Sequence, residues 1–325
     1  MPALRAACGF TLVELLIALV IALLILAGGS RIFIATGHGY RLQDNLARLQ
    51  ENARYALEAL GGELRRTGYL GGITDLARIT DTTAAGRARG GGVARDDGRC
   101  DGPGWSLQLG YPVFGLDAGY GHYRCLAAGG DARSDILVVR YMAPRALTAA
   151  TGAAFQPAQW YLRSSVFEGK LFRGAEQAAH AVAGLPVRVA EVVARAYYVR
   201  PAPAGGCDGG DTVPSLYRTA LAGGRLVASA VVRGVEQLQL QFGIDRDRDG
   251  AVDEFVDAPA AGDSGSWLRV LAVRCWLLLR SECPETGYTD ASRYRLGNIT
   301  LTPADGYRRL LVVQTTALRN GGLRP

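Results

Sequence analysis

From Phe10 to Ile34 the chain is apolar at nearly every position. Glu14 and Arg31 are the only strongly polar side chains, with Thr11 and Ser30 as lesser exceptions. About 20 helical residues at 1.5 Å each cross the ~30 Å hydrocarbon core of a bilayer, so this run predicts a membrane-spanning helix. Arg5 precedes it and orients the N-terminus to the cytoplasm. The pattern then changes. Leu42, Leu46, Leu49, Ala53, Leu57, Leu60 and Leu64 recur every three or four positions, one apolar stripe on a helix. Asp44 with Arg48, and Arg54 with Glu58, stand four apart on its flanks. The prediction is one helix from Phe10 to about Arg66, roughly 85 Å if unbroken. It is hydrophobic all round in its first half and amphipathic in its second. Gly37 and Gly39 are candidate bends, Gly61 and Gly62 should weaken the last turns, and Gly68, Gly71 and Gly72 should stop it. The second stripe cannot be left in water and must pack on a sheet.

Beyond Gly72 the period falls to two. Ser134–Met142 reads as a strand from its β-branched run, and "QWYLRSSV" and "KLFRG" flank Glu168-Gly169 like a hairpin. Val192–Pro201 is another strand. "SLYRTALAGGRLVASAVV" reads as strand, turn at Gly223-Gly224, strand. Val235, Leu238, Leu240 and Phe242 mark a strand over Val235–Ile244, and "WLRVLAVRCWLLLRS" and "RRLLVVQTTALRN" supply two more. One long helix followed by strands is an α+β chain, with the helix packed on an antiparallel β-sheet domain. Gly-rich stretches around 84–104 and 203–211 are surface loops or insertions.

Glu14 needs a reason. A carboxylate in a bilayer costs on the order of 2.5–3.5 kcal/mol, and such residues are usually functional and partnered. An ordinary secretory signal has a basic start, an apolar centre and small residues such as those of "LAGGS", but no early acid. A partner exists if the chain is cut between Gly9 and Phe10. The new α-amino group then lies at the depth of Glu14 on a neighbouring subunit, and the charge pair offsets part of the burial cost and sets the stagger between subunits.

"GFTLVE", Gly9 to Glu14, resembles the type IV prepilin consensus residue for residue. The resemblance implies cleavage after Gly9 by prepilin peptidase, N-methylation of Phe10, and Glu14 as the residue of subunit alignment. The stretch from Tyr40 to Gly72 resembles the start of the PilW family of minor type IV pilins. "VEQLQLQFGIDRDRDGAVDEFVDA", "VLAVRCWLLLRS" and "YRRLLVVQTTALRN" resemble PilW segments in the same order. The least recognisable part is 73–130. The implied plan is a leader over 1–9, a transmembrane helix over 10–36, its amphipathic continuation over 37–72 and a periplasmic β-rich domain over 73–325. The resemblance implies a minor pilin that works with other minor pilins and the major pilin in assembly and priming at the filament tip. It supports twitching motility, adhesion or DNA uptake, moving from the inner membrane to a pilus on the cell surface. The other readings are a type II secretion J-type pseudopilin and a membrane-anchored calcium-dependent adhesin.

Composition changes little in this picture. The 325 residues are 49% hydrophobic and 20% charged, a globular balance with ample core. The net charge of +6 is spread among acids, without the basic stripe that direct nucleic-acid binding would need. Six cysteines carry no C-x-x-C spacing and suit disulfides in an oxidising compartment. Loss of Cys8 with a leader leaves an odd number. Cys100 with Cys125, and Cys275 with Cys283, are the short-loop pairings, and the fate of Cys207 is open.

Two motifs hint at chemistry. In "DRDRDGAVDEF", Asp245, Asp247 and Asp249 are spaced by two, followed by Gly250, Ala251 and Asp253. This is the opening of an EF-hand-type calcium loop, with side-chain oxygens at positions 1, 3, 5 and 9, glycine at 6 and a backbone carbonyl at 7. Val256 replaces the bidentate Glu at position 12, and Arg246 and Arg248 lower the negative charge, so weak Ca2+ affinity is expected. The alternative is a charged turn between strands. "GDSG", Gly262 to Gly265, has the wording of a serine-protease nucleophile segment. The chain's histidines, His38, His122 and His180, sit in no supporting motif, so no enzyme is predicted.

Overall fold

A computed structural model of the chain describes residues 11–81, 106–118, 133–145, 147, 155–176, 188–203, 212–223, 225–259, 264–321 and 323, with the side chains of 31–41, 81 and 264 outside that set. Its contacts divide into two compact units between Arg48 and Leu49.

Helix α1 runs Leu12–Arg66, 55 residues, and its assignment continues through Gly37 and Gly39. Leu12–Ser30 has a mean hydropathy of 2.8 and none of it is buried within the chain. From Leu49 onward the predicted stripe is covered: Leu49, Ala53, Leu60 and Leu64 are buried and Leu57 is partly so, joined by Ala56. Leu46, three residues before the unit boundary, is exposed. Helix α1 continues through the Gly61–Gly62 pair to Arg66. A Cβ at Gly61 would stand in ordinary contact with Gln314 Nε2 at 3.5 Å and Thr316 Oγ1 at 3.6 Å, which places this face of the helix against β14. The end is built as predicted at Gly68, whose φ is +76°. The Asn320 side-chain amide sits at the last turn, donating to the Arg65, Arg66 and Thr67 carbonyls at 3.4, 3.4 and 3.1 Å. Those are the acceptors a helix end leaves open.

The strands are β1 Ile79–Asp81, β2 Val113–Leu116, β3 Ile136–Met142, β4 Trp160–Ser164, β5 Gly169–Arg173, β6 Arg188–Pro203, β7 Thr212–Ala222, β8 Arg225–Arg233, β9 Val235–Ile244, β10 Glu254–Val256, β11 Val270–Arg280, β12 Tyr294–Leu296, β13 Ile299–Leu301 and β14 Arg309–Ala317. One helical turn, α2 Ser264–Trp267, precedes β11. The strand expected to start at Trp267 therefore starts three residues later.

The first sheet runs β1-β5-β4-β6-β3-β2, with β7 on β6 and β8 on β7. The 16-residue β6 is its spine: residues 188–191 pair with β4, 192–197 with β3 and 195–203 with β7. Gly234, at φ +81°, turns the chain from β8 into the second sheet, β10-β9-β11-β14. Every pairing is antiparallel except β1 with β5. The α1 stripe, β3, β6, β9 and β11 enclose one core, in which Trp267 lies between Phe114 and Phe242 with ring centroids at 4.7 and 4.9 Å. A smaller core under the first sheet gathers Leu70, Ile73, Leu76 and Ile79 against Met142, Trp160 and Leu162. Gln237 and Gln239 are buried too, because the β12–β13 hairpin approaches β9 and β11: a Cβ at Gly297 would lie 3.8 Å from Gln239 and from the Trp276 ring.

Candidate functional site

The first turn of α1 is the part of the described chain where a carboxylate stands in the apolar span. Glu14 is exposed and its Oε2 accepts the Thr11 backbone N–H at 3.0 Å and the Thr11 hydroxyl at 2.9 Å. The Glu14 N–H in turn donates to Thr11 Oγ1 at 3.3 Å. This is a reciprocal capping box, Thr-x-x-Glu, which satisfies donors that a helix N-terminus otherwise leaves bare. Both Thr11 donors go to Oε2, so Oε1 is open to a donor from outside the helix. The spacing of three was visible in the sequence, although the cap was not anticipated. Around this carboxylate the surface is apolar, with Leu12 76% and Leu15 60% exposed. Such a surface is stable only in lipid or against other helices. Gly9 and Phe10, the expected cleavage and methylation positions, lie outside the described residues.

A second carboxylate on the same helix was missed. Glu63 is buried, and its Oε1 pairs with Arg195 Nη1 of β6 at 2.5 Å. Its Oε2 accepts the Tyr141 hydroxyl of β3 at 2.8 Å. Burial, and then the neighbouring Glu63 charge, push the Tyr141 phenol well above its ordinary range. The cluster ties the amphipathic half of α1 to the first sheet by charge as well as by leucines. Partners 78 and 132 residues apart leave no local trace in a sequence.

The 245–253 loop brings together part of the expected ligand set. Carboxylate oxygens of Asp245, Asp247 and Asp253 lie within 4.8 Å of one another. Asp249 is not in that group, and its Oδ1 accepts the Ala251 N–H at 2.7 Å. Asp245 is buried and accepts the N–H groups of Arg248 at 2.5 Å and Gly250 at 3.0 Å, so it organises the loop from within. Gly250 adopts φ +89°, the turn that position 6 requires. Arg246 pairs with Glu254, and its N–H donates to Asp253 Oδ2 at 2.6 Å. Val256 closes β10, which leaves no bidentate carboxylate at position 12. Three carboxylate oxygens are the hard ligands a Ca2+ takes, short of a full cage.

The cysteine expectation needs correction. Cys275 is a free, buried thiol, and Cys283 is disulfide-bonded, not to Cys275. Cys275 alternates with Val273 and Leu277 on the core face of β11, where it packs as a small apolar side chain. Burial raises its thiol to about 12, so it stays protonated and unreactive. Cys100 and Cys125, the other expected pair, and Cys207 lie outside the described residues. Of the "GDSG" segment, Ser264 begins α2 and Gly265 follows it, while Gly262, Asp263, His122 and His180 are outside the described set.

Comparison with known proteins agrees with the sequence pattern. Residues 196–320 match the family described as Type IV Pilus-assembly protein W. Residues 4–30 match the prokaryotic N-terminal methylation motif. Among solved structures, a type IV-like pilin from Thermus thermophilus is similar over 85% of this chain and 98% of its own, at 13% identity and a TM-score of 0.36. No curated protein sequence matches.

Proposed function

We propose that this type IV pilin-like chain, of the PilW type over residues 196–320, is a minor subunit that primes filament growth and resides at the pilus tip. The observation that carries the reading is the first turn of α1, where an exposed carboxylate is held by its own cap within an apolar span long enough to cross a membrane. In this reading the helix anchors the subunit in the inner membrane with the second unit in the periplasm. Prepilin peptidase cuts between Gly9 and Phe10, and Phe10 is N-methylated. The amine of one subunit then meets Glu14 Oε1 of the next, while other minor pilins and the major pilin cover the leucines. The role is assembly, serving motility, adhesion or DNA uptake, with no catalytic step. A calcium ion held by Asp245, Asp247 and Asp253 stiffens the β9–β10 connection.

N-terminal sequencing of the assembled protein should begin at Phe10. Glu14→Ala and Glu14→Gln should leave the chain cleaved and membrane-bound but abolish or sharply reduce surface pili. Normal pili in both variants would sink the proposal. A deletion separates the alternatives: loss of exoprotein release with normal pili points to a J-type pseudopilin, and loss of adhesion with normal pili points to an anchored adhesin.

A further inference from the structure

The second unit holds a cavity of about 800 Å³ between the 245–250 loop, the junction of α2 with β11, and Leu318, Arg319, Gly321 and Leu323. Its volume is that of a small-molecule site. Three arginines are among its lining residues, the half-buried Arg269 and the exposed Arg248 and Arg319. None of them has an ion-pair partner among the described residues, and the Arg269 Nε is buried without a hydrogen-bond acceptor. Elsewhere in the second unit, Arg246, Arg308 and Arg309 all meet carboxylates. The one acid on the wall is Asp245, and both its oxygens already accept N–H groups of the loop. Three like charges around one space, with no free carboxylate on the wall to offset them, make a local positive potential that favours an anion. The remaining lining is apolar, chiefly Leu268, Leu271, Leu318 and Leu323.

We propose that this cavity binds a small organic anion with an apolar body, its carboxylate or phosphate head held by Arg248, Arg269 and Arg319 and its body by the leucines. Arginine suits that head because its fork of donors meets two oxygens at once. The backbone points the same way: Arg248 is a non-glycine residue at φ +67°, held there by its N–H bond to Asp245. A side chain kept at a conformation that favours glycine is a position where the guanidinium, not the turn, gains from the residue identity. The site does not depend on the assembly role or on a metal in the loop.

The probe is 2-naphthoate, titrated by equilibrium dialysis against the full chain in neutral detergent and metal-free buffer, with 2-naphthylmethylammonium and inorganic phosphate alongside. Naphthoate should bind saturably and weaken as salt rises. The double variant Arg248→Gly, Arg319→Ala should lose at least tenfold in affinity. Arg248→Gly alone relieves the backbone and should melt no lower than the wild type, so its weaker binding cannot come from unfolding. Phosphate should compete only at higher concentration, because it has no apolar body. Equal naphthoate uptake by wild type and double variant, or equally tight binding of the cationic naphthyl compound, overturns the proposal.

Discussion

Raising the pH from 5 to 8 should destabilise the second unit through one side chain, Asp135. It lies just before β3 and is 3% exposed. Its Oδ2 accepts the Leu240 N–H at 2.7 Å and its Oδ1 the Ala118 N–H at 3.1 Å, while its own N–H donates to the Leu238 carbonyl at 2.8 Å. It thus satisfies backbone groups on the stretch of β9 that β10 does not reach, since β10 pairs only with residues 242–244. The two N–H bonds favour the carboxylate, but burial outweighs them, and Asp117 and Asp257 add repulsion. The result is a pKa of about 7 against 3.8 for a free side chain. The folded state therefore binds the extra proton between these values, and stability falls as pH rises from 3.8 through 7, then levels off. Integrated from pH 5 to pH 8 the loss is about two pK units, or about 2.5 kcal/mol. For a unit of this size that is a drop of about 5–10 °C in melting temperature.

The assay is denaturant unfolding of the full chain in neutral detergent from pH 5 to 8, followed by tryptophan fluorescence, for wild type and Asp135→Asn. Asn offers one carbonyl to two N–H groups and turns its amide on the other, so the variant should be the weaker protein at pH 5. The diagnostic quantity is the difference between the two proteins, in which other titrating groups cancel. Wild type should lose about 2.5 kcal/mol relative to the variant by pH 8. A difference that stays flat within about 0.5 kcal/mol would refute the burial argument.

Three more outcomes follow from the same packing. Glu63→Gln leaves Arg195 half-buried without its counter-charge and should cost about 3 kcal/mol in the same unfolding assay, whereas a loss below about 1 kcal/mol would mean the helix is held by its leucines alone. Gly115→Ala puts a Cβ 2.3 Å from Phe242 Cζ and should cost about 1–3 kcal/mol, with an altered Trp267 emission because Phe242 packs on that indole; an unchanged melt would show the ring can move aside freely. Millimolar calcium should raise the melting temperature of wild type but not of Asp247→Ala, and identical curves with and without calcium would dismiss the ion.

Long-period patterns were legible because burial itself repeats. β9 and β11 alternate in the sequence as they do in the core, and the α1 stripe from Leu49 to Leu64 reads at helical spacing. The three- and four-residue strands β1, β2, β10, β12 and β13 were not, since so short a run shows no period and its pairing is set by neighbours. Nearness in sequence misled for Cys275 and Cys283, although the alternation Val273, Cys275, Leu277 already pointed the thiol inward. That Gly61 packs beside Gln314 and Thr316 was not legible either, because they are about 250 residues away.

The sharper contrast is between the two acids on α1. Glu63 is satisfied by Arg195 and Tyr141 of the same chain, and nothing local announces it. Glu14 has only its own Thr11, and the helical stretch that displays it has no apolar partner within its unit. A partner supplied from within a chain is hidden from sequence reading by distance along the chain. A partner supplied from outside shows as an excess: more apolar surface than the fold covers, and one carboxylate oxygen more than the cap uses. That excess is what made the proposed assembly end readable, while the internal ion pairs left no such mark.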